Sequence, residues 1–222
     1  PGGFRIGVST KLMTRALARA TGQDEADLQH RLMGSWTPET TNFHDLILSE
    51  NPEADLSKPY PFYLAYQLDD LDELGPPTDW KAERKWDGIR GQLILRGGEH
   101  YLWSRGEDLM TDRFPELARA RDFIPDGTVL DGEVLAFKDG GPLSFNALQK
   151  RIGRKTVPKK LLPEATVILY AYDLLEWKGS DLRAAPFADR RARLAALLAA
   201  LPAEAGIQPS PLVPFDSWET LA

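Results

Sequence analysis

The chain has 222 residues, of which 42% are hydrophobic and 27% are charged, so a wholly disordered polypeptide is excluded and one or two folded domains are expected. Its net charge of −6 argues against a protein that coats nucleic acid with a uniformly basic surface. No residue is cysteine, which excludes disulfides and thiolate chemistry, and no apolar run approaches the ~20 residues of a membrane span.

Helices are predicted throughout residues 9–50. Ser9 or Thr10 can cap the first, whose apolar residues follow helical spacing until Gly22. Asp24 is a suitable cap for the second helix. The sequence therefore begins with closely spaced helices.

A third helix and a linker complete this region. The second helix is expected to stop near Gly34, and Pro38, after Thr37, is placed to open the third. Prolines at three positions among polar residues then predict a linker, which we draw at residues 53–61.

The pattern changes to short strands after the linker. In chain order it predicts strands at 81–86, 89–96 and 101–104, a short helix at 114–121, a strand at 128–137, a helix at 144–151, a strand at 166–175 and a helix at 186–201. Most connections between strands have the length of hairpins. This order predicts an α+β fold with antiparallel pairing and not a doubly wound sheet.

Residues 83–90, which read ERKWDGIR, contain the first candidate for chemistry. Strand alternation places Glu83 and Lys85 on one face, and Lys85 lies beside the glycine turn at the strand end. A ligand can approach closely there, and Arg90 returns on the next strand. A charged surface hairpin explains the same residues equally well.

Glu133 is the second candidate because it lies in the middle of an apolar strand. Burying a carboxylate is costly unless it has a partner. Glu133 is either a solvent-facing residue of an edge strand or a metal or ribose ligand that faces a cleft. Its aliphatic neighbours favour the cleft.

The remaining features are each weak evidence for a functional site when taken alone. Arg105 closes a strand and places a cation at a rim, although a surface turn would do the same. Tyr170 is expected to be core, whereas Tyr172, near the strand end, could stack on a flat ligand. Residues 150–160 carry six basic side chains that either contact phosphate or form a solvated loop. The usual glycine-rich nucleotide cradles and zinc-ligand spacings are absent from the sequence.

In this order the segments resemble the covalent nucleotidyltransferases, which include the ATP-dependent polynucleotide ligases and the mRNA capping enzymes. Residues 85–88 match the K-x-D-G nucleophile motif, and residues 104–115 resemble the motif that follows it. Residues 131–133 and 172–175 resemble the third motif and the aromatic strand after it. One K-x-D-G is weak support, but the ordered set is strong.

Within this superfamily the chain most resembles the bacterial ATP-dependent DNA ligases. Residues 1–52 look like the end of their helical DNA-binding domain, which capping enzymes and typical RNA ligases lack. The resemblance implies that residues 62–222 form an adenylation domain of antiparallel sheets flanked by helices. Nothing after Phe187 matches the family's later E-G and K-x-K motifs. We therefore expect a fragment whose adenylation domain is truncated at its C-terminus and which lacks the OB-fold domain.

The resemblance also implies a role for each candidate. Lys85 would attack the α-phosphorus of ATP and become a lysyl-AMP, and nearby cations would favour its neutral amine. The implied ATP contacts are Glu83 on the adenine amino group, Arg90 and Arg105 on phosphate, Tyr172 stacked on adenine, and Glu133 on ribose or Mg²⁺. AMP would then pass to a DNA 5′-phosphate, so that a nick in duplex DNA is sealed.

Two alternatives stay open at this point. One is an RNA ligase or a GTP-using capping enzyme, and the other is a non-catalytic DNA-end-binding module. The expected protein is a cytoplasmic monomer with nicked double-stranded DNA as its partner, no membrane association, and a role in DNA repair, replication or recombination.

Overall fold

A computed structural model describes most of the chain. The described residues are 10–33, 38–39, 41–49, 56–63, 65–106, 108–152 and 166–221. None of the helices within these ranges is long and apolar enough to cross a membrane.

The first two predicted helices are confirmed. Helix α1 spans Thr10–Thr21 and is followed by Gly22 in the left-handed region, with φ 72°. Helix α2 spans Glu25–Met33, and the Asp27 amide donates to Asp24 Oδ1 at 3.2 Å. Asp24 therefore caps α2 as its sequence position predicted. Ser9 and Gly34 lie outside the described residues.

The third predicted helix is wrong in its extent. Among residues 38–39 and 41–49, which the structure describes here, the only helical element is a π-helical turn at His44–Leu48. The Asp45 amide donates to Asn42 Oδ1 at 3.0 Å, so a side-chain cap at Asn42 begins the turn in place of Pro38.

A seven-stranded sheet forms the centre of the molecule, in the order β3-β2-β4-β6-β7, with β5 beside β4 and β8 beside β6. Its pairs are antiparallel except β6 with β8. The strands are β1 (Ala82–Glu83), β2 (Ile89–Arg96), β3 (Glu99–Ser104), β4 (Thr128–Lys138), β5 (Gly141–Pro142), β6 (Thr166–Trp177), β7 (Ser180–Asp181), β8 (Ile207–Pro209) and β9 (Leu212–Val213). The predicted α+β class with antiparallel pairing is confirmed.

The strand predicted at residues 81–86 is wrong in its extent. The hairpin with the next strand, which was the alternative interpretation of these residues, does not form either. Only Ala82–Glu83 is a strand, and it pairs with Leu212–Val213 in a separate two-stranded sheet. This pairing joins segments about 130 positions apart, which local periodicity cannot show.

Helices cover one face of the large sheet. They are α3 (Asn146–Ile152) and α4 (Phe187–Ala199), with 3₁₀ segments at Thr111–Arg113 and Pro115–Asp122, while α5 (Trp218–Leu221) follows β9. Fully buried leucines of the strands, such as Leu93 and Leu130, pack with Leu117 and Leu194 from these elements. This main core fixes the sheet, whose opposite face carries the polar residues described next.

The segment at residues 56–60, which precedes the sheet, is anchored to side chains of β2 and β6. Tyr60 donates its hydroxyl hydrogen to Glu176 Oε2 at 2.7 Å, and its backbone makes two hydrogen bonds with the Gln92 amide. Arg96 joins Glu176 to the carbonyls of residues 56 and 58. Lys58 in turn lies 3.3 Å from Asp24, so the same segment reaches the helical region.

Candidate active site

The residues singled out from the sequence meet in one cleft of ≈ 970 Å³, beside the start of β2 and the middle of β4 and β6. Every one of the six contributes to its lining: Glu83, Lys85, Arg90, Arg105, Glu133 and Tyr172. Its size suits a nucleotide or a similarly large polar ligand.

Lys85 lies exposed in this cleft, on the loop between β1 and β2. Gly88 determines how closely this loop lies to the sheet. A Cβ on Gly88 would collide with the backbone carbonyl of Val134 and lie 2.7 Å from Leu135 Cδ2. The loop can therefore hold the lysine against β4 only with glycine at this position.

Arg90 lines the cleft and interacts with two carboxylates of β4, Asp131 and Glu133. Arg90 lies opposite Glu133 in the β2–β4 register, and its Nε is 2.6 Å from Asp131 Oδ1. Asp131 is fully buried, and burial raises its pKa to about 6 against the opposing effect of Arg90. A buried carboxylate in this position fixes the guanidinium that faces the ligand space.

Glu133 is only 9% exposed, and β4 is a central strand with neighbours on both sides. This excludes the solvent-facing edge strand that was left open for it. Burial raises the pKa of Glu133 to about 7, opposed by Arg90, the Gly88 amide and Arg105. A carboxyl group in such surroundings gains strongly from a cationic ligand.

Tyr172 owes its position to an irregularity in β6. The β4–β6 register passes from Asp173 to Ala171, so Tyr172 is the extra residue of a β-bulge. Bulges change the direction of a side chain next to sites of this kind. The Arg90 guanidinium lies over one face of the Tyr172 ring, 4.5 Å from its centroid. A base that stacks on Tyr172 must therefore contact the other face of the ring. Tyr170, two residues earlier, is buried as predicted.

Arg105 follows β3 at the rim of the cleft. Its amide donates to the Arg90 carbonyl at 2.9 Å, which ties the two cation-bearing segments together. Arg105 also acts electrostatically on Glu133. Two guanidinium groups thus face the region beside the lysine, where an anionic ligand would be favoured.

Glu83 has a partner that sequence reasoning missed. Arg191 of α4 places Nη2 3.0 Å from Glu83 Oε1. Burial raises the pKa of the Glu83 carboxyl, and Arg191, Ser210 and Arg90 oppose that rise. A separation of 108 positions hides this pair from any local pattern.

A second arginine of the same helix holds α4 to the sheet. Arg190 makes a two-pronged contact with Asp173, Nε to Oδ1 at 2.9 Å and Nη2 to Oδ2 at 2.8 Å. Both residues line the cleft, together with Phe187 at the start of the helix. The two arginines therefore place α4 along the side of the cleft.

The basic segment at residues 150–160 is only partly described. Arg151 is 1% exposed and pairs with Glu116 at 2.6 Å, so the interpretation of this arginine as a phosphate contact is wrong. Residues 153–160 lie outside the described residues, and the remaining basic positions stay a prediction.

The described residues contain no group of three or more His, Asp or Glu side chains that could surround a metal ion. Mg²⁺ does not require one, because it commonly keeps several waters and uses one or two carboxylates with substrate phosphates. Glu133 fits that donor set, since its carboxylate lines the cleft with Arg90 and Arg105 and has the buried Asp131 nearby.

Comparison with known proteins agrees with this geometry. Residues 63–214 match the family described as the ATP dependent DNA ligase domain. A probable DNA ligase of Koribacter versatilis is 34% identical over 87% of this chain and 34% of its own length. DNA ligase C of Mycobacterium tuberculosis is 40% identical over 53% of this chain and 33% of its own length. The chain thus spans about a third of the length of these relatives.

The fold is also similar to a solved structure. A mycobacterial DNA ligase D complexed with ATP and MES superposes with a TM-score of 0.51 at 30% identity, over 64% of this chain and 42% of that chain. The curved antiparallel sheet and its cleft are therefore those of a nucleotidyltransferase domain. The chain belongs to the ATP-dependent DNA ligase family, because the family match covers more than half of it. The RNA-directed and non-catalytic alternatives are not favoured.

Proposed function

We propose that this chain carries out the adenylation chemistry of an ATP-dependent DNA ligase, with Lys85 as the nucleophile. The observation that carries the proposal is the meeting of an exposed lysine, two arginines and two acidic side chains in one cleft, in a chain that matches this family.

In the proposed first step the Lys85 amine attacks the α-phosphorus of ATP. A P–N bond forms, the bond to the β-phosphate oxygen breaks, and pyrophosphate leaves. The amine gives up its proton to solvent. Arg90 and Arg105 would stabilise negative charge on the phosphoryl group as it transfers.

Glu83 and Tyr172 would bind the base. A carboxylate accepts a hydrogen bond from the adenine amino group, and the Tyr172 ring offers a stacking surface. Burial, together with the Glu133 charge, raises the pKa of the Tyr172 phenol, so the ring stays neutral.

Glu133 would hold Mg²⁺ or the ribose. Mg²⁺ bound there would neutralise phosphate charge and so assist departure of pyrophosphate. Asp131 contributes by holding Arg90 in its place beside this carboxylate.

The later steps are proposed for the full-length protein. AMP passes from Lys85 to a 5′-phosphate at a nick in duplex DNA, and the 3′-hydroxyl then displaces AMP. Residues 1–52 as part of a helical DNA-binding domain, residues 53–61 as a linker, a monomeric state and a cytoplasmic location are parts of the same proposal. A cysteine-free chain suits a reducing compartment.

Labelling with ATP that is radioactive at the α-phosphate tests the proposal. The full-length protein should retain label after denaturation, and Lys85→Arg should abolish it, because guanidinium stays protonated and has a different shape. Lys81→Arg, an exposed position four residues earlier, is the matched control and should label normally. A fully labelled Lys85→Arg protein would overturn the assignment, and labelling by GTP alone would favour a capping-type enzyme.

A further inference from the structure

The Arg191 guanidinium joins three segments of the chain beside the cleft. It lies on α4, and Nη1 donates to the Ala171 carbonyl at 3.1 Å and to the Tyr172 carbonyl at 2.7 Å. Nη2 donates to the Ser210 carbonyl at 2.6 Å and lies 3.0 Å from Glu83 Oε1. Its side chain is 11% exposed, so this cation has little contact with water.

Two of these partners belong to the proposed base-binding groups, and a third contacts the loop of the proposed nucleophile. The Tyr172 carbonyl belongs to the bulged residue whose ring faces the cleft. Glu83 is the carboxylate at the same cleft. Ser210 accepts a hydrogen bond from the Trp86 indole at 3.1 Å, next to Lys85. One side chain therefore fixes the ring, the carboxylate and the loop of the nucleophile relative to each other.

We propose that Arg191 is a positioning residue that sets the base preference of the site, by holding Glu83 as an ionised, acceptor-only carboxylate beside a fixed Tyr172. The inference rests on the proposed function and deepens it. Adenine presents an amino donor at the position where guanine presents a carbonyl acceptor. An ionised carboxylate accepts from the amino group and repels the carbonyl, whereas a protonated carboxyl could donate to the carbonyl.

The charge on Glu83 depends on its surroundings. Burial disfavours the ionised form, and Arg191 is the largest opposing influence, ahead of the Ser210 hydroxyl and Arg90. Removing the Arg191 cation should therefore release Glu83 to bind as a neutral carboxyl group. It should also free the Tyr172 backbone, so the preference for adenine falls for two linked reasons.

Adenylation rates with ATP and with GTP test this inference in the full-length protein. In Arg191→Met the ratio of the ATP rate to the GTP rate should fall by about tenfold to a hundredfold, the effect of losing charge-assisted hydrogen bonds. Arg191→Lys keeps the charge without the forked geometry and should recover part of the ratio. Arg193→Met, an exposed residue of the same helix, should leave it unchanged.

The variant Glu83→Gln tests whether Arg191 sets the base preference through Glu83. Glutamine can both donate and accept, so this variant should also lose discrimination. Combining it with Arg191→Met should lower the ratio little further, because both changes remove the same interaction. Melting temperatures of all variants separate altered recognition from loss of the folded state.

The outcomes are distinguishable. Equal loss of the ATP and GTP rates in both Arg191→Met and Arg191→Lys, with the ratio intact, would overturn the inference and leave the proposed function standing. If Arg191→Met does not fold, an unchanged ratio in Arg191→Lys together with an unchanged ratio in Glu83→Gln overturns it. A wild-type protein that takes no label from ATP would overturn the proposed function and this inference with it.

Discussion

At the residue scale, the glycine of the K-x-D-G sequence has a steric purpose. A side chain at Gly88 would collide with the Val134 carbonyl, a backbone atom that cannot rotate away. The loop that carries Lys85 would have to move off β4.

Gly88→Ala should therefore destabilise the protein by about 1–3 kcal/mol through overpacking. Because the proposed nucleophile Lys85 would be displaced, adenylation should fall by about a hundredfold. Gly141→Ala is the matched control, since nothing lies within 4 Å of its added methyl group. Adenylation of Gly88→Ala at the rate of the control would show that the close approach to β4 is not needed.

The substitution Glu133→Gln should lower activity without lowering stability. Glu133→Gln removes a buried charge whose pKa burial raises to about 7, so at slightly alkaline pH the melting temperature should not fall below that of wild type. Adenylation should fall by about a hundredfold, because a preorganised electrostatic contact is lost, and more Mg²⁺ should be required.

Measuring the adenylation rate against Mg²⁺ concentration, with Glu204→Gln as an exposed control, checks this prediction. A lower melting temperature with unchanged turnover would make Glu133 a structural residue and remove it from the site.

Most of the candidate residues could be predicted from the sequence because they lie at a strand end or break an apolar pattern. Glu133 among aliphatic neighbours is one case. Asp131 carried the same signal, since residues two apart on a strand share a face, but its partnership with Arg90 was not recognised. Tyr172 was expected near the end of its strand, but β6 continues to Trp177 and Tyr172 lies in its middle. Arg191 carried no local signal at all, because its contact with Glu83 depends on the tertiary arrangement of α4 and β1.

At the element scale, the segment at residues 56–60 is held against the sheet, mainly through Tyr60. The Tyr60 hydroxyl donates to Glu176, which Arg96 also binds. Burial and this hydrogen bond raise the pKa of Tyr60 from its ordinary 10 to about 12.

A phenol whose pKa is higher in the folded state stabilises the protein below its unfolded pKa, and that contribution is lost as the pH rises through the folded pKa. Tyr60→Phe should cost about 1–2 kcal/mol at neutral pH, and its difference from wild type should shrink between pH 10 and pH 12. Thermal unfolding across this range provides the measurement.

Tyr66→Phe is a suitable control because Tyr66 is 88% exposed. A constant difference between wild type and Tyr60→Phe over the whole pH range would show that the hydroxyl does not titrate in its contact with Glu176.

Element prediction succeeded where periodicity and turn residues agree. The strands predicted at 89–96, 128–137 and 166–175 are confirmed as β2, β4 and β6. Prediction failed at β1, which is two residues long and pairs with the distant β9. It also failed at the third helix, where the Asn42 cap was overlooked in favour of Pro38.

At the scale of the whole molecule, an acidic chain places arginines in the proposed reaction cleft, beside acidic side chains. The net charge is −6, yet two arginines face the lysine and a third stands behind Glu83. Local cations at the phosphate positions suffice for nucleotide chemistry, so the overall charge does not oppose the proposed activity.

The proposed function depends most on a covalent bond between Lys85 and AMP. Proteolytic peptides of the full-length protein, incubated with ATP and Mg²⁺, can be sequenced by tandem mass spectrometry to find the residue that carries AMP. We expect AMP on Lys85, and we expect added pyrophosphate to remove it as ATP by reversal of the same step. AMP on another residue, or nick sealing by a protein that never carries AMP, would contradict the account.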